Sequence, residues 1–351
     1  MRDHVFDALR RKRTAAAMGG AMTGRGLMLG LLRLAGADPA ELMNGEGHAL
    51  PPPLPEETGR TPEAGAEAGD IPDWLWPLWN ESLGVDATAC ADALKDRAPV
   101  FLRVNLRKAT VAEAADRLRG EGIETRPAPL SPTALEVVAG ARGLRNSESF
   151  AQGIVELQDA ASQAVVDALP LRDGMRVLDY CAGGGGKSLA MAAAGARVTA
   201  HDAAPDRMSD LADRAARAGA RIDVCPPDRL DAGRRFDLVL VDAPCSGSGA
   251  WRRSPDAKWR LTPGDLSAYV ALQWQILNKA VQYCRPGGRL AYATCSLFRA
   301  ENAAQAARAS SELPLRLLHD RQLTPLDGGD GFYISVFEVL GNNQGLQSPT
   351  N

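Results

Sequence analysis

The chain has no uninterrupted apolar run approaching the roughly 20 residues that a membrane-spanning helix requires, so no membrane partner is expected. A secretory signal is missing too. The basic start Arg10-Arg11-Lys12-Arg13 is followed by a segment, 16–34, that glycines, Arg25 and Arg33 interrupt, which predicts basic amphipathic helices and a cytoplasmic location. The six cysteines (Cys90, Cys181, Cys225, Cys245, Cys284 and Cys295) include no C-x-x-C pair and no Cys/His cluster at zinc spacing. No metal site is expected, and the thiols are read individually as core or catalytic groups. A net charge of only −3 argues against indiscriminate nucleic-acid binding.

What charge there is lies in blocks. Residues 1–35 carry seven Arg or Lys against two Asp, residues 36–96 thirteen acids against two bases, and residues 97–147 nine bases against five acids. Such swings predict separate modules, the basic ones being candidate polyanion surfaces. With 351 residues, 45% of them hydrophobic, the chain can bury the cores of two domains.

In order, residues 1–48 read as a short basic helical N-terminus and 49–70 as a mobile linker rich in Pro, Glu, Ala and Gly. Residues 71–150 read as a small α+β module, with strands at 100–105 and 134–138 and a helix capped by Thr110. From 151 to 340 strands and helices alternate. Strands are expected at 176–179, 197–201, 221–224, 236–241, 288–294 and 332–339, which predicts an α/β fold with a mostly parallel sheet covered on both faces. Residues 341–351 read as a tail.

The first strand of this sheet runs into Cys181-Ala182 and then Gly183, Gly184, Gly185 and Gly186, with Lys187-Ser188 opening a helix. Such a turn lets a ligand approach the backbone and meet unpaired N–H groups. A P-loop would need glycine six residues before Lys187, where Cys181 stands. The remaining candidate is S-adenosylmethionine, with Asp202 at the end of the second strand to receive its ribose hydroxyls and Asp228 as acceptor for the adenine amino group.

The stretch 236–262, FDLVLVDAPCSGSGAWRRSPDAKWRLT, is an apolar strand that delivers Asp242 and Cys245 to its carboxyl end, followed by a basic turn. The next strand ends in Thr294-Cys295-Ser296, so the two thiols are expected to face one cleft. A thiolate beside a methyl donor suits carbon 5 of a pyrimidine, which is too poor a nucleophile until a thiolate adds at carbon 6. Asp242 is placed to relieve charge at ring nitrogen 3. Either thiol could add and the other assist release.

The runs Asp179-x-Cys181-Ala182-(Gly)4-Lys187-Ser188, Asp242-Ala243-Pro244-Cys245-Ser246-Gly247, Arg252-Arg253-x-Pro255-Asp256-x-Lys258-Trp259 and Thr294-Cys295-Ser296-(x)4-Glu301-Asn302 together resemble the bacterial RsmB and eukaryotic Nop/Sun family of RNA 5-methylcytosine methyltransferases. The likeness covers roughly residues 72–340 and includes Gln158-Asp159-x-x-Ser162-Gln163 and Asp330-Gly331-Phe332-Tyr333. It implies a Rossmann-like class I methyltransferase sheet preceded by an RNA-binding module. It also implies Cys295 as nucleophile, Cys245 as the releasing thiol, Lys187 near the base, and cofactor or base contacts from Cys181 through Lys187, Asp202, Asp228 and Asp242. The chain departs from the family turn at Gly183-Gly184, where Ala-Pro is usual, and at Ser188, where Thr is. Its 48 residues ahead of the linker leave no room for the helical RNA-binding domain of the best-known bacterial members.

Arg252, Arg253, Lys258 and Arg260 are the expected phosphate contacts. The resulting expectation is a monomeric enzyme that transfers methyl from S-adenosylmethionine to cytosine in structured RNA, small-subunit ribosomal RNA first. The alternative is a ribosome-assembly factor that keeps the fold and binds RNA without modifying it.

Overall fold

Adjacent apolar residues at 177–178 and 238–241 require cover on both faces of their strands, and in the computed structural model both faces are covered. Val177, Leu238 and Leu240 pack into one core; Leu178, Val239 and Val241 pack into the other. The structure describes residues 2–231 and 233–341, so the expected tail lies, from residue 342, outside the described residues. The chain divides into two compact units, one up to Ala98 with Ala250–Leu261, the other Pro99–Gly249 with the residues from Thr262 on.

The first unit is helical. Its helices Lys12–Gly19 and Gly24–Leu34 approach so closely that a Cβ on Gly30 would lie 1.8 Å from the Ala15 carbonyl oxygen. The N-cap residue of the former, Arg11, makes no side-chain cap. Asp70 does that work from a distance: its carboxylate, wholly buried, accepts from the Arg13 and Thr14 amides at 2.7 and 3.1 Å and from Thr14 Oγ1 at 2.7 Å. Trp79 stacks on Trp251 with ring centroids 5.9 Å apart, and Trp259 Nε1 donates to the Leu9 carbonyl at 2.7 Å. The insertion 250–261 is thereby a core element of this unit.

Residues 71–98 pack with the helices of the first unit, where Trp79 and the Ala87, Cys90 and Ala91 face of the helix Ala87–Ala93 are buried. The stretch 49–70, expected to be a mobile linker, has no helix or strand but is tied to the helices by polar groups. Arg25 Nη2 donates to Glu57 at 2.8 Å, Arg33 Nη2 to the Glu57 carbonyl at 2.7 Å, and the Arg60 amide to the Ala17 carbonyl at 2.9 Å. Scarcity of apolar residues concealed this anchoring.

The second unit begins with a small antiparallel sheet, order β2-β3-β1-β4, from β1 (Val100–Val104), β2 (Glu124–Pro127), β3 (Ala134–Ala139) and β4 (Val155–Leu157). The helix Val111–Gly120, opened by a Thr110–Glu113 capping box, closes its core with Ala114 and Leu118. Seven strands follow: β5 (Arg176–Asp179), β6 (Arg197–Ala200), β7 (Ile222–Val224), β8 (Phe236–Asp242), β9 (Cys284–Thr294), β10 (Leu315–Leu323) and β11 (Phe332–Val339). Their order is β10-β11-β9-β8-β5-β6-β7, parallel from β7 to β9 and antiparallel beyond. The chain order reverses at β5, and ligands of such sheets bind outside the strand carboxyl ends at that reversal. β10 had no expectation from sequence, since six of its nine residues are exposed and no apolar alternation marks it. No helix among the described residues is long and apolar enough to cross a membrane.

The Asp70 cap gives a test. Asp70→Ala leaves two helix amides and a threonine hydroxyl without their acceptor, and is expected to lower stability by about 2–3 kcal/mol, read as a fall in the urea midpoint.

Candidate active site

β5 ends in Asp179, 1% exposed, whose Oδ2 accepts from Ser188 Oγ at 2.6 Å while Oδ1 is buried without a hydrogen-bond partner. Burial pushes its pKa up to about 7, against the opposing hydrogen bond from Ser188. In the turn that follows, Gly183 and Gly185 have φ of +51° and +75°, values that favour glycine. A Cβ on Gly185 would lie 2.2 Å from Leu211 Cδ1, so only glycine lets the helix Gly186–Ala193 start here. A Cβ on Gly183 or Gly184 would meet the Arg207 or Arg214 guanidinium at 3.1 Å, and Arg214 also donates to the Gly184 carbonyl. Two arginines thus occupy the space that larger residues at 183 and 184 would take.

Asp202, just beyond β6, is 3% exposed and holds the turn from the side. Its Oδ2 accepts from the Gly183 amide at 2.8 Å, its Oδ1 from the Ala204 amide at 2.9 Å, and Arg207 Nη1 lies 3.3 Å from Oδ2. Asp228, expected beside it, is exposed on the short 3-10 helix Pro227–Arg229 and does not line the cleft. The third strand ends at Val224, as expected, and the turn after it leaves Asp228 exposed.

β8 and β9 pair in parallel with Asp242 opposite Ala293, so Cys245 and Cys295 leave adjacent strand ends together. Their sulfurs are 3.5 Å apart, both free. Lys187 Nζ donates to Asp242 Oδ2 at 2.6 Å and lies 4.9 Å from the centre of the Phe332 ring. Burial works against the Lys187 ammonium, yet the charge and hydrogen bond of Asp242 carry its pKa above the ordinary lysine value, so it stays charged. The cleft that these groups share is about 470 Å³ and is also lined by Cys181, Ala182, Gly183, Gly184 and Gly186.

Beneath the thiols lies Glu301, fully buried. It accepts from the Ser246 amide and hydroxyl at 2.9 and 2.5 Å, from Ser296 Oγ at 2.5 Å and from Gln273 Nε2 at 3.0 Å. One carboxylate therefore clips the residue after each cysteine to the same point. Sequence reading noted Glu301 as a landmark without a role; only a fold that puts 246 and 296 side by side supplies one. Tyr269, Phe332 and Arg207 also line the cleft and were missed, because an aromatic residue or an arginine in a helix, strand or turn carries no local signal of its destination.

Chemically the site offers a soft nucleophile, a second thiol within proton-transfer range, and a carboxylate–ammonium pair. The hydrogen bond to Cys295, then burial, raises the Cys245 pKa well above the ordinary thiol value. Burial and nearby acids also raise Cys181. Neither is favoured as an anion.

The expected phosphate contacts divide. Arg253 and Arg260 are exposed, Arg260 pairing with Asp256 at 2.9 Å. Arg252 and Lys258, at 6% and 2% exposure, are instead buried in the first unit, where Arg10 Nε donates to the Arg252 carbonyl at 2.9 Å. Desolvation lowers the Lys258 pKa to about 8 despite the opposing charge of Asp70. A basic run was legible in sequence; which side of the helix Pro255–Arg260 turns inward was not.

The raised Asp179 pKa has a measurable consequence. A carboxyl group that binds its proton more tightly in the folded state contributes stability that is present below the ordinary aspartate range and is lost as pH rises through about 7. Asp179→Asn removes that contribution. Urea midpoints compared at about pH 5 and about pH 8 are expected to fall less with rising pH in the variant than in the parent.

Comparison with known proteins reaches both sheets and starts the smaller module at residue 71. The model for the 16S rRNA methyltransferase RsmB/F matches residues 166–337, and that for the RsmF/B-like ferredoxin-like domain matches 71–141. The ribosomal RNA small subunit methyltransferase B of Klebsiella pneumoniae is 32% identical over 278 residues, covering 75% of this chain and 64% of that protein. The protein of the same name from Vibrio cholerae is 34% identical over 280 residues, covering 76% and 64%. That of Cronobacter sakazakii is 32% identical over 287 residues, covering 76% and 67%. The chain thus spans about two thirds of the length of these relatives. Among solved structures, PH0851 superposes with a TM-score of 0.76 at 21% identity over 96% of this chain and 89% of that one. A methyltransferase homolog from Pyrococcus horikoshii gives 0.69 at 24% over 78% and 97%. At these identities the structural likeness is one of fold, a Rossmann-like methyltransferase. The sequence match, the strand order and the paired thiols agree: the chain belongs to the RsmB/F family of methyltransferases.

Proposed function

We propose that this protein is an S-adenosylmethionine-dependent RNA methyltransferase that forms 5-methylcytosine through a covalent cysteine adduct, with small-subunit ribosomal RNA as substrate and the cytoplasm as its place of work. The observation that carries the chemistry is the 3.5 Å approach of Cys245 to Cys295 beside the Lys187–Asp242 pair. The printed names of the curated relatives favour the substrate.

The strand-end turn fits the cofactor on two counts. Asp179 Oδ1, buried without a partner, is an acceptor suited to an ammonium or hydroxyl donor, and the glycine turn leaves backbone open to a ligand. Asp202 keeps lone pairs for ribose hydroxyls while its oxygens hold the turn. S-adenosylmethionine, when bound, would supply an electrophilic methyl group, its sulfonium–methyl bond breaking to leave the neutral thioether S-adenosylhomocysteine.

Cys295 is assigned the attack. Its thiolate bonds to carbon 6 of the flipped cytosine, the carbon 5–carbon 6 π pair moves into the ring, and carbon 5 becomes nucleophilic. Charge that reaches nitrogen 3 meets the Lys187–Asp242 pair, whose ammonium remains protonated. Once carbon 5 is methylated, removal of its proton restores the double bond and expels Cys295. Cys245 is assigned that release, the role the family resemblance implies for it: once its own proton has passed to solvent, its thiolate, 3.5 Å from the Cys295 sulfur, accepts the carbon 5 proton. Glu301 is a positioning residue that keeps both cysteine loops in register with each other.

The cysteine roles are separable with a small-subunit rRNA transcript and labelled cofactor. Cys295→Ser is expected to abolish transfer, and Cys245→Ser to accumulate a protein–RNA adduct that survives denaturation. An adduct from the first variant and none from the second would reverse the roles. Glu301→Gln places an amide donor against the Ser246 donors. The transfer rate constant at saturating RNA is expected to drop by about 10- to 100-fold, with the affinity for RNA unchanged in a filter-binding titration.

A further inference from the structure

At the opposite, amino ends of the same parallel strands lies a second and larger cleft, of about 960 Å³. Arg107, Arg176, Arg197, Arg221 and Arg234 line it, and Asp223 is the one acid among its described lining residues. In a chain whose net charge is −3, this is a local concentration rather than a general excess.

The arginines are in register. Arg176 of β5 is the parallel partner of Arg197 of β6, and Val198 is the partner of Ile222, so Arg221 continues the same row one strand further. Strand spacing sets these positions about 5 Å apart. Like charges at neighbouring register positions repel and contribute nothing to the sheet. On the β8 side the Phe236 ring meets two guanidiniums, its centre 5.6 Å from Arg176 and 5.4 Å from Arg234, which restrains both forks at the cleft wall. Arg234 additionally pairs with Asp223 at 3.2 Å, while Arg176, Arg197 and Arg221 are exposed at the strand starts.

We infer that this amino-end cleft is a second RNA-binding site that holds the phosphodiester backbone away from the target nucleotide. Planar guanidinium forks match phosphate oxygens bidentately, and a row of them spaced along an open cleft suits a repeating chain of phosphates better than one small anion. The two clefts lie at opposite ends of β5, whose Val177 and Leu178 are buried, so a structured RNA whose cytosine enters the thiol cleft meets the arginines with backbone that passes around the sheet. The inference rests on RNA being the substrate, and adds a place where RNA is held that the thiol site does not require.

The test is the double variant Arg197→Gln/Arg221→Gln in the full chain, with an unchanged melting temperature as evidence of folding. Binding of a small-subunit rRNA transcript is measured by fluorescence anisotropy across a salt series. Loss of two phosphate contacts is expected to reduce the slope of log K against log salt by about 1.4 to 1.8, to weaken binding at least tenfold at moderate salt, and to raise KM for the RNA. Equal affinity and parallel salt slopes for variant and parent would overturn the inference. So would displacement of a labelled acidic peptide, but not of RNA, by the double substitution, which would assign the cleft to a protein segment. Failure of the unaltered protein to methylate the transcript, with the difference in salt slope intact, would count against the catalytic reading and leave this one standing.

Discussion

The parallel pairing of β8 with β9 is the constraint on which the site depends. Each strand ends in a short turn bearing a thiol, and only the register that sets Asp242 opposite Ala293 brings Cys245 and Cys295 to 3.5 Å. A slip of one residue would turn every side chain of one strand to the other face, burying Asp242 away from Lys187. The register is held from both ends. Val239 and Val241 share an apolar core with Leu290 and Tyr292, and beyond the strand ends Glu301 ties Ser246 and Ser296 to one carboxylate.

Electrostatics around the pair follow from burial. Asp179, Asp202 and Asp242 converge near the glycine turn, where water is scarce and charges interact strongly. Lys187 is the buried cation that answers them, and its short bond to Asp242 keeps it charged. Burial raises the Asp179 pKa although Ser188 and Lys187 act the other way, and one of its oxygens is left unpartnered. A pocket of this kind is incomplete as it stands: its orphan acceptor is costly until a ligand donor reaches it. Arg207 and Arg214 fill the space above Gly183 and Gly184, so the two-glycine turn is packed from outside by side chains rather than by its own.

Cations are used for two distinct purposes. In the first unit, Arg252 and Lys258 are buried, and Arg10 hydrogen-bonds the Arg252 carbonyl, so a run that looks like a surface is half structural. In the second, arginines dispersed from position 107 to 234 meet in one cleft. Linear charge density was a poor guide to either, because a helix turns every third or fourth residue inward and a parallel sheet gathers residues some twenty positions apart.

Much of the catalytic half was legible. Apolar runs that stop at Asp179 and Asp242, four consecutive glycines, and two thiols at strand ends are local signals, and local signals survive translation into structure because strand period and turn chemistry are local physics. They determined the α/β class, six of the seven strands of the sheet, and the approach of Cys245 to Cys295. Tertiary structure alone decided what no window of sequence contains. It placed 71–98 with the helical unit through Trp79, made Asp70 the cap of a helix more than fifty residues away, sent Asp228 out to solvent, and gave Glu301 its two serines. Each of these is a contact between residues distant in the chain, whose partner is chosen by packing and by the need to satisfy a buried polar group rather than by the residues on either side.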